Sequence, residues 1–381
     1  FGVVALAVAI KMSLPLDHNR PLWELWIIHG LEQGRIGVVL KIHHAMVDGI
    51  AALGVLGRLF TTEVGAEPFE PSPKRRRRRP APTPLELAGS VVDAAINAPG
   101  RIASTLNRTG NALVSLARDS VHLITTRERP AMLFSSPRTA FNRALTAERA
   151  VAFGRVPLAT VKRIKDAFGV TVNDVVLAAC ARSLGQYLRL HGEAARRPLV
   201  ASVPISEHGV EGPILSINRV SVMFLGLPVH LDDPEAIVRS IHEQSIGGKR
   251  VYAAFGPYML AEWVDMAPPP LFSAAVGLYS RWKLAEYVPP AHSIVISNVP
   301  GPPIPLYAGD ARLIAAYPLG PILEGAVVNI SVMSYDGAVD IGLIACPRAV
   351  PRPSEIARGF ERAVDELVAA AEARAKGSAL F

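Results

Sequence analysis

Cysteine is nearly absent: Cys180 and Cys346 are the only two in 381 residues. They lie in apolar segments far apart, which excludes a disulfide framework and a clustered metal site and fits buried thiols in a reducing cytoplasm. Charge is sparse too, at 19% of residues against 50% apolar ones, poorer than in an average soluble chain. No apolar run reaches the roughly 18 residues that a membrane-spanning helix needs. The longest candidates, such as PPPLFSAAVGLYS at 268–280, are short and broken by proline or glycine. What remains is a globular protein suited to apolar material, with length enough for two domains or two halves of one pseudo-symmetric fold.

The chain opens on Phe1, not methionine, and FGVVALAVAI has no basic stretch before it and no small-residue cleavage site after it. That argues against a signal peptide and reads as a chain cut off upstream. The net charge of +7 is concentrated in KRRRRRP at 74–80. No interleaved aromatics or nucleic-acid fold signature accompany this block, so nucleic acid is not expected as a partner. Prolines on both sides make it a solvated linker, with attraction to anionic lipid head groups as the second reading.

Hydrophobic periodicity organises the rest. IGVVLKI at 36–42 reads as a strand and IAALGVLGRLFT at 50–61 as a helix. Proline and charge from Glu63 to about Pro84 mark a linker, and 85–119 reads as two bridging helices interrupted at Pro99-Gly100. A strand near 149–156 leads to helices over Leu158–Phe168 and about Asn173–Leu190, with Asn173 as N-cap and Asp174 in the first turn. Further strands are expected at 199–206, 218–229, 293–300, 325–337 and 338–346, the last two turning at Asp336-Gly337. An amphipathic helix over 353–376 closes the chain.

The strand at 36–42 runs directly into HHAMVDG at 43–49. Side chains alternate along a strand, so Val38, Leu40, Ile42 and His44 share one face while Val39, Lys41 and His43 share the other. The two histidines therefore make poor joint ligands for one metal, and no third ligand stands at a suitable spacing. A histidine at the end of an apolar face is partly desolvated, which keeps its ring neutral and available as a base toward an alcohol. Asp48 stands where a helix begins, stabilised by unpaired backbone N–H groups, and Gly49 gives the turn its backbone freedom. The bland reading is a strand–turn–helix with a capping aspartate; the complete pattern between an apolar strand and an apolar helix favours the catalytic one.

HHAMVDG resembles the His-His-x-x-x-Asp-Gly signature of the superfamily of chloramphenicol acetyltransferases, nonribosomal-peptide condensation domains and plant alcohol acyltransferases. Within it, the chain is similar to the bacterial wax ester synthase/acyl-CoA:diacylglycerol acyltransferases. PLDHNRPLWELWIIHGL at 15–31 resembles their Pro-Leu-Trp segment, FGVTVNDVVLA at 168–178 their Asn-Asp motif, and ISNVPGPP (296–303) and YPLGPILEGAVVNISVMSYDG (317–337) their C-terminal blocks. These segments stand in family order from Pro15 to about Ala370.

The resemblance implies a mixed α/β fold of two chloramphenicol acetyltransferase-like halves, each a mixed sheet flanked by helices. The halves are expected at 1–65 and 138–381, joined by the Pro/Arg-rich linker and bridging helices at 66–137. Only fourteen residues precede Pro15, fewer than in the family, so the first half is expected to be incomplete. The implied activity moves a long-chain acyl group from acyl-CoA to the hydroxyl of diacylglycerol or a fatty alcohol. Acyl-CoA is then a substrate, and no cofactor, metal or covalent acyl-enzyme is involved. His44 is the implied general base, with His43 beside it and Asp48 and Gly49 shaping the loop. Asn173 is the leading oxyanion-donor candidate, ahead of Ser297 and Asn298; the alternative for Asn173-Asp174 is a helix cap and first-turn charge. Pro21, Leu22 and Trp23 either line a substrate channel or contribute a plain buried tryptophan. A cytoplasmic enzyme on a membrane or lipid-inclusion surface is expected, with oligomeric state left open. The alternatives are transfer to a polyketide-type diol or an amine, and a non-catalytic lipid-surface protein on the same scaffold.

Overall fold

The computed structural model describes residues 2–46, 49–66, 133–205, 221–256 and 269–378, with scattered positions between 83 and 131. Helix α1 (Gly2–Ser13) precedes a hairpin of β1 (Trp23–Ile28) and β2 (Gly37–Ile42), and helix α2 (Gly49–Leu59) follows it. The strand and helix expected around the histidine motif are both present. The strand at β1 was not foreseen, and neither was α1. Positions 102–111 are helical; Pro99 and Gly100 also carry helical backbone and do not form the expected break.

The larger body is a six-stranded mixed sheet in the order β3-β10-β9-β6-β4-β5. Its strands are β3 (Ala150–Pro157), β4 (Leu199–Ile205), β5 (Ser221–Leu227), β6 (Ile294–Pro300), β9 (Val328–Tyr335) and β10 (Ala338–Ala345). Short strands β7 (Tyr307–Ala308) and β8 (Ala311–Arg312) pair separately. Strand β6 runs parallel to β4 and β9, while the other neighbours are antiparallel. The β9–β10 turn falls at Asp336-Gly337, both at positive φ (45° and 79°), the conformation that such a dipeptide accepts at least cost.

Helices α3 (Leu158–Phe168), α4 (Val172–Leu190), α5 (Pro234–Phe255), α6 (Pro269–Arg281) and α7 (Pro353–Ser378) accompany the sheet, with short 3-10 turns at Glu32–Gly34 and Leu284–Glu286. Helix α4 is the core helix: Val175 through Ala181, Leu184 and Leu188 are all buried. At about 1.5–3 kcal/mol for each fully buried large aliphatic side chain, this helix anchors the body. Alternation in β9 explains the sheet's two faces. Val328, Ile330 and Val332 are buried in the hydrophobic core, while Asn329, Ser331 and Met333 point to the opposite face.

The N-cap of α4 is Thr171, not Asn173. Thr171 Oγ1 accepts from Asp174 N at 3.1 Å and Asp174 Oδ2 accepts from Thr171 N at 3.0 Å, a reciprocal capping box. Asp174 keeps its expected place in the first turn, and Asn173 is moved one position inside the helix. Threonine and aspartate three apart satisfy two N–H groups at once, which a lone asparagine cannot do.

The hairpin corrects a second expectation. Register pairs Trp23 with Ile42, Leu25 with Leu40 and Ile27 with Val38, so these six side chains share one face. That face is outward: Trp23 is 50%, Ile27 55% and Val38 49% exposed, whereas Val39 on the other face is buried. Lys41 shares the Val39 face. Its Nζ donates to Lys11 O at 2.9 Å and to Leu14 O, which ties the Val39/Lys41 face to the carbonyl end of α1. Burial pushes the Lys41 ammonium below its ordinary pKa, with Glu24 opposing the shift and Lys11 adding to it.

Candidate functional site

Strand β2 ends at Ile42, and His44 to Met46 form a turn, so strand alternation stops before His44. His43 is half-buried and His44 exposed, which overturns the partly desolvated His44 read from the sequence. His43 is fixed on both sides. Its backbone N–H donates to Leu22 O at 2.9 Å, and its Nδ1 accepts from Ala45 N at 3.2 Å. The turn's own N–H thus occupies Nδ1 of His43. The His18 ring stands edge-on to His43, with centroids 6.2 Å apart. Asp48 lies outside the described residues; Gly49 opens α2.

His43 and His44 nevertheless line one cavity, of about 1820 Å³, bounded by α1, the hairpin, α2 and the outer face of the sheet. Sites for a single drug-sized ligand run to about 300–1,000 Å³, so there is room for two substantial molecules. Ser297 and Asn298 of β6 line the same cavity, which brings four of the expected site residues together. Asn298 Nδ2 donates to Asn173 Oδ1 at 3.2 Å, linking the cavity wall to the start of α4.

Asn173 and Asp174 themselves stand outside the cavity wall. Asp174 is buried; its Oδ1 accepts from Ser245 Oγ at 2.6 Å and its Oδ2 pairs with His242 Nδ1 at 3.0 Å. Burial alone would raise this carboxyl. The hydrogen bonds from Ser245, His242 and Thr171 outweigh it and hold Asp174 below its ordinary pKa. The Asn-Asp pair thus forms a bracket between α4, α5 and β6.

Part of the wall is a strap, 312–323, laid across the outer face of the sheet. Asp340 Oδ2 accepts from Ala316 N at 2.9 Å, and Asn329 Nδ2 donates to Pro321 O at 2.8 Å. Phe153 stacks on Tyr317 with centroids 4.8 Å apart. Gly342 lets the strap down: a Cβ there would sit 1.8 Å from Pro318 O. Arg155 Nη1 lies 3.4 Å from the wholly buried Asp340 and also donates to Ile314 O. Burial raises the Asp340 carboxyl despite Ala316 N and Arg155.

Sequence reasoning missed Arg155, Asp340 and the strap's clips. A charged residue interrupting an apolar strand, as in AVDIGLIA, is the signal that could have found Asp340. Trp23, conversely, is half-exposed, and Pro21, Leu22 and Trp23 do not line the cavity. The pleat of β1 turns Trp23 to the outer face; Leu22 acts through its carbonyl on His43. Among the described residues no group of three His, Cys, Asp or Glu side chains converges.

Fold and site together define an acyltransferase-type architecture. Among solved structures it is similar to the wax ester synthase/diacylglycerol acyltransferase from Marinobacter aquaeolei VT8, with a TM-score of 0.68 and 25% identity over 98% of this chain and 77% of that one. Residues 4–176 match the wax ester synthase/diacylglycerol acyltransferase catalytic domain, and 217–368 match the C-terminal domain of the same family. A putative diacylglycerol O-acyltransferase of Mycobacterium tuberculosis is 36% identical over 369 residues, 96% of this chain and 71% of that protein. A probable diacylglycerol O-acyltransferase of the same organism is 33% identical over 353 residues, 92% of this chain and 74% of that protein. The chain belongs to the wax ester synthase/diacylglycerol acyltransferase family.

Proposed function

We propose that this protein transfers a long-chain acyl group from acyl-CoA to the hydroxyl of diacylglycerol, a fatty alcohol, or both. The observation that carries the reading is the convergence of His44, Ser297 and Asn298 on one cavity large enough for two substrates. His44 takes the alcohol proton as the oxygen attacks the thioester carbonyl; the C–S bond then breaks, and the proton passes to the CoA sulfur. The occupied Nδ1 of His43 supports giving the base role to its neighbour. Asp48 and Gly49 hold the turn into α2. Ser297 and Asn298, with Asn173 behind them, supply polar groups toward the developing oxyanion, where one donor is worth on the order of 3 kcal/mol.

The division into halves at 1–65 and 138–381 with a bridge at 66–137 belongs to the same proposal. So does a peripheral seat on a membrane or lipid inclusion. Among the described residues no single helix is long and apolar enough to cross a membrane. Incubation with palmitoyl-CoA and either dioleoylglycerol or hexadecanol is expected to release free CoA with formation of the ester, and His44→Ala to abolish both. Release unchanged by that substitution overturns the mechanism.

A further inference from the structure

Helix α6 (Pro269–Arg281) holds the apolar run that stands out in the sequence, and from Pro270 to Arg281 every residue but Tyr279 is exposed, which is unusual for an apolar helix. Leu271, Ala275, Leu278 and Trp282 recur at spacings of four, three and four, which places them on one stripe. That stripe faces outward: Leu271 is 66%, Leu278 44% and Trp282 60% exposed. Its polar side chains are few: Ser273 and Ser280 are exposed as well, and Ser280 Oγ donates to Glu324 Oε1 at 2.6 Å. Phe272 and Val276, both exposed, widen the apolar surface, and Tyr287 and Val288 continue it past the helix.

Charge on this surface has one sign. From Pro269 to Lys283 there is no carboxylate, and the two charged residues are the exposed Arg281 and Lys283. The neighbouring carboxylates, both half-buried, are engaged by donors of the protein's own. Glu286 accepts from Arg143 Nη1 and Ala144 N, each at 3.0 Å, and Glu324 accepts from Leu145 N at 3.1 Å as well as from Ser280. A contiguous exposed apolar patch marks an interaction site. A second copy of this chain would bring two patches of the same sign together, whereas an anionic lipid surface supplies both the apolar layer and the opposite charge. Thirteen residues are too few to span a bilayer, which takes about 20, so the helix would lie in the interface plane.

We propose that α6, continued by Trp282 and Lys283, seats this protein on an anionic phospholipid surface. The Leu271/Leu278/Trp282 stripe enters the acyl boundary while Arg281 and Lys283 meet head-group phosphates. This deepens the lipid-surface part of the reading above and does not depend on acyl transfer. The test is co-flotation of the 381-residue chain with phosphatidylcholine vesicles with and without phosphatidylserine. The wild type floats with the anionic vesicles, and Leu271→Ser/Trp282→Ser binds about tenfold less or weaker, with an unchanged melting temperature. Arg281→Glu/Lys283→Glu lowers binding to anionic vesicles only, as added salt does. Release of CoA from palmitoyl-CoA with a detergent-dispersed acceptor is unaffected by either pair, which separates failure of this surface from failure of the catalytic reading. The proposal is overturned by wild type that does not float, or by binding that survives Leu271→Ser/Trp282→Ser and is lost only when Arg75–Arg79 are replaced by glutamine. It is equally overturned if the stripe variant merely converts a dimer to a monomer.

Discussion

Asn298 Nδ2 donates to Asn173 Oδ1 across 3.2 Å, joining strand β6 to the first turn of helix α4 at the wall of the cavity. If Asn173 acts by orienting Asn298, the two substitutions share one effect. Asn298→Ala and Asn173→Ala are each expected to lower kcat for CoA release by about ten- to a hundredfold, within reach of a single oriented donor. The double variant is expected to be no worse than the poorer single one, because residues acting as a unit are non-additive. Additive losses would show that the pair is not a unit.

Asp174 predicts a pH signature. Its folded pKa is held below the ordinary value, so it contributes stability that is present above the unfolded pKa of about 3.9 and is lost as pH falls through the folded value. Urea denaturation of the wild type and of Asp174→Asn should therefore differ most near neutral pH. The gap should begin to narrow as pH falls through the unfolded pKa and close only below the lowered folded pKa, where the folded carboxyl is protonated as well. A gap independent of pH would assign the aspartate a purely steric role.

The elements with strong periodicity were legible from the sequence: α3 is bounded by Leu158 and Phe168 as expected, and the Asp336-Gly337 turn stands where the dipeptide placed it. What stayed hidden depended on partners far along the chain. Nothing local to Lys41 says that it will bond carbonyls of Lys11 and Leu14, on the face where Val39, Trp26 and Ile28 meet the core. Thr171 displaced Asn173 as cap because the reciprocal bond needs Asp174 three residues on, a pairing that is visible in sequence once looked for. The histidine motif was found by its spacing and His44 was already set apart there as the base; what strand alternation did not foresee is the turn after Ile42, whose Ala45 N donates to Nδ1 of His43 two residues back.

That division has its own test. His43→Gln keeps a side-chain acceptor for Ala45 N and is expected to retain most activity, within about tenfold of wild type, whereas His44→Gln loses the base and about a hundredfold or more of kcat. Equal losses in the two glutamine variants would remove the distinction.

Arg155 and Asp340 form a half-exposed/buried ion pair at 3.4 Å beneath the strap. Arg155→Met leaves the carboxyl in the interior with Ala316 N as its remaining donor, at a cost of about 2–3 kcal/mol, toward the low end for breaking such a pair because the arginine is partly solvated. Asp340 has a raised folded pKa already, and loss of the cation raises it further. A carboxyl with a raised folded pKa favours the folded state below its unfolded pKa and loses that contribution as pH rises through the folded value. The penalty of Arg155→Met should thus be larger at pH 7 than at pH 4, because only the ionised carboxyl misses the cation, and chemical denaturation at the two pH values reads it directly.

Gly342 decides whether the strap can form at all. Strand β10 places it on the sheet face between Asp340 and Ile344, where a Cβ would come within 1.8 Å of Pro318 O and 3.1 Å of Leu319 Cδ2. The obstacle is backbone, not the end of a flexible side chain, so the strap must lift. Lifting it breaks the geometry that lets Asp340 accept from Ala316 and Asn329 donate to Pro321. Gly342→Ala is expected to cost about 3 kcal/mol or more, the upper range for overpacking. Because the strap is cavity wall, the variant should also raise KM for palmitoyl-CoA or for the acceptor at temperatures where it remains folded. A Gly342→Ala protein with wild-type melting temperature and wild-type KM would mean that the strap does not lie on the sheet as described.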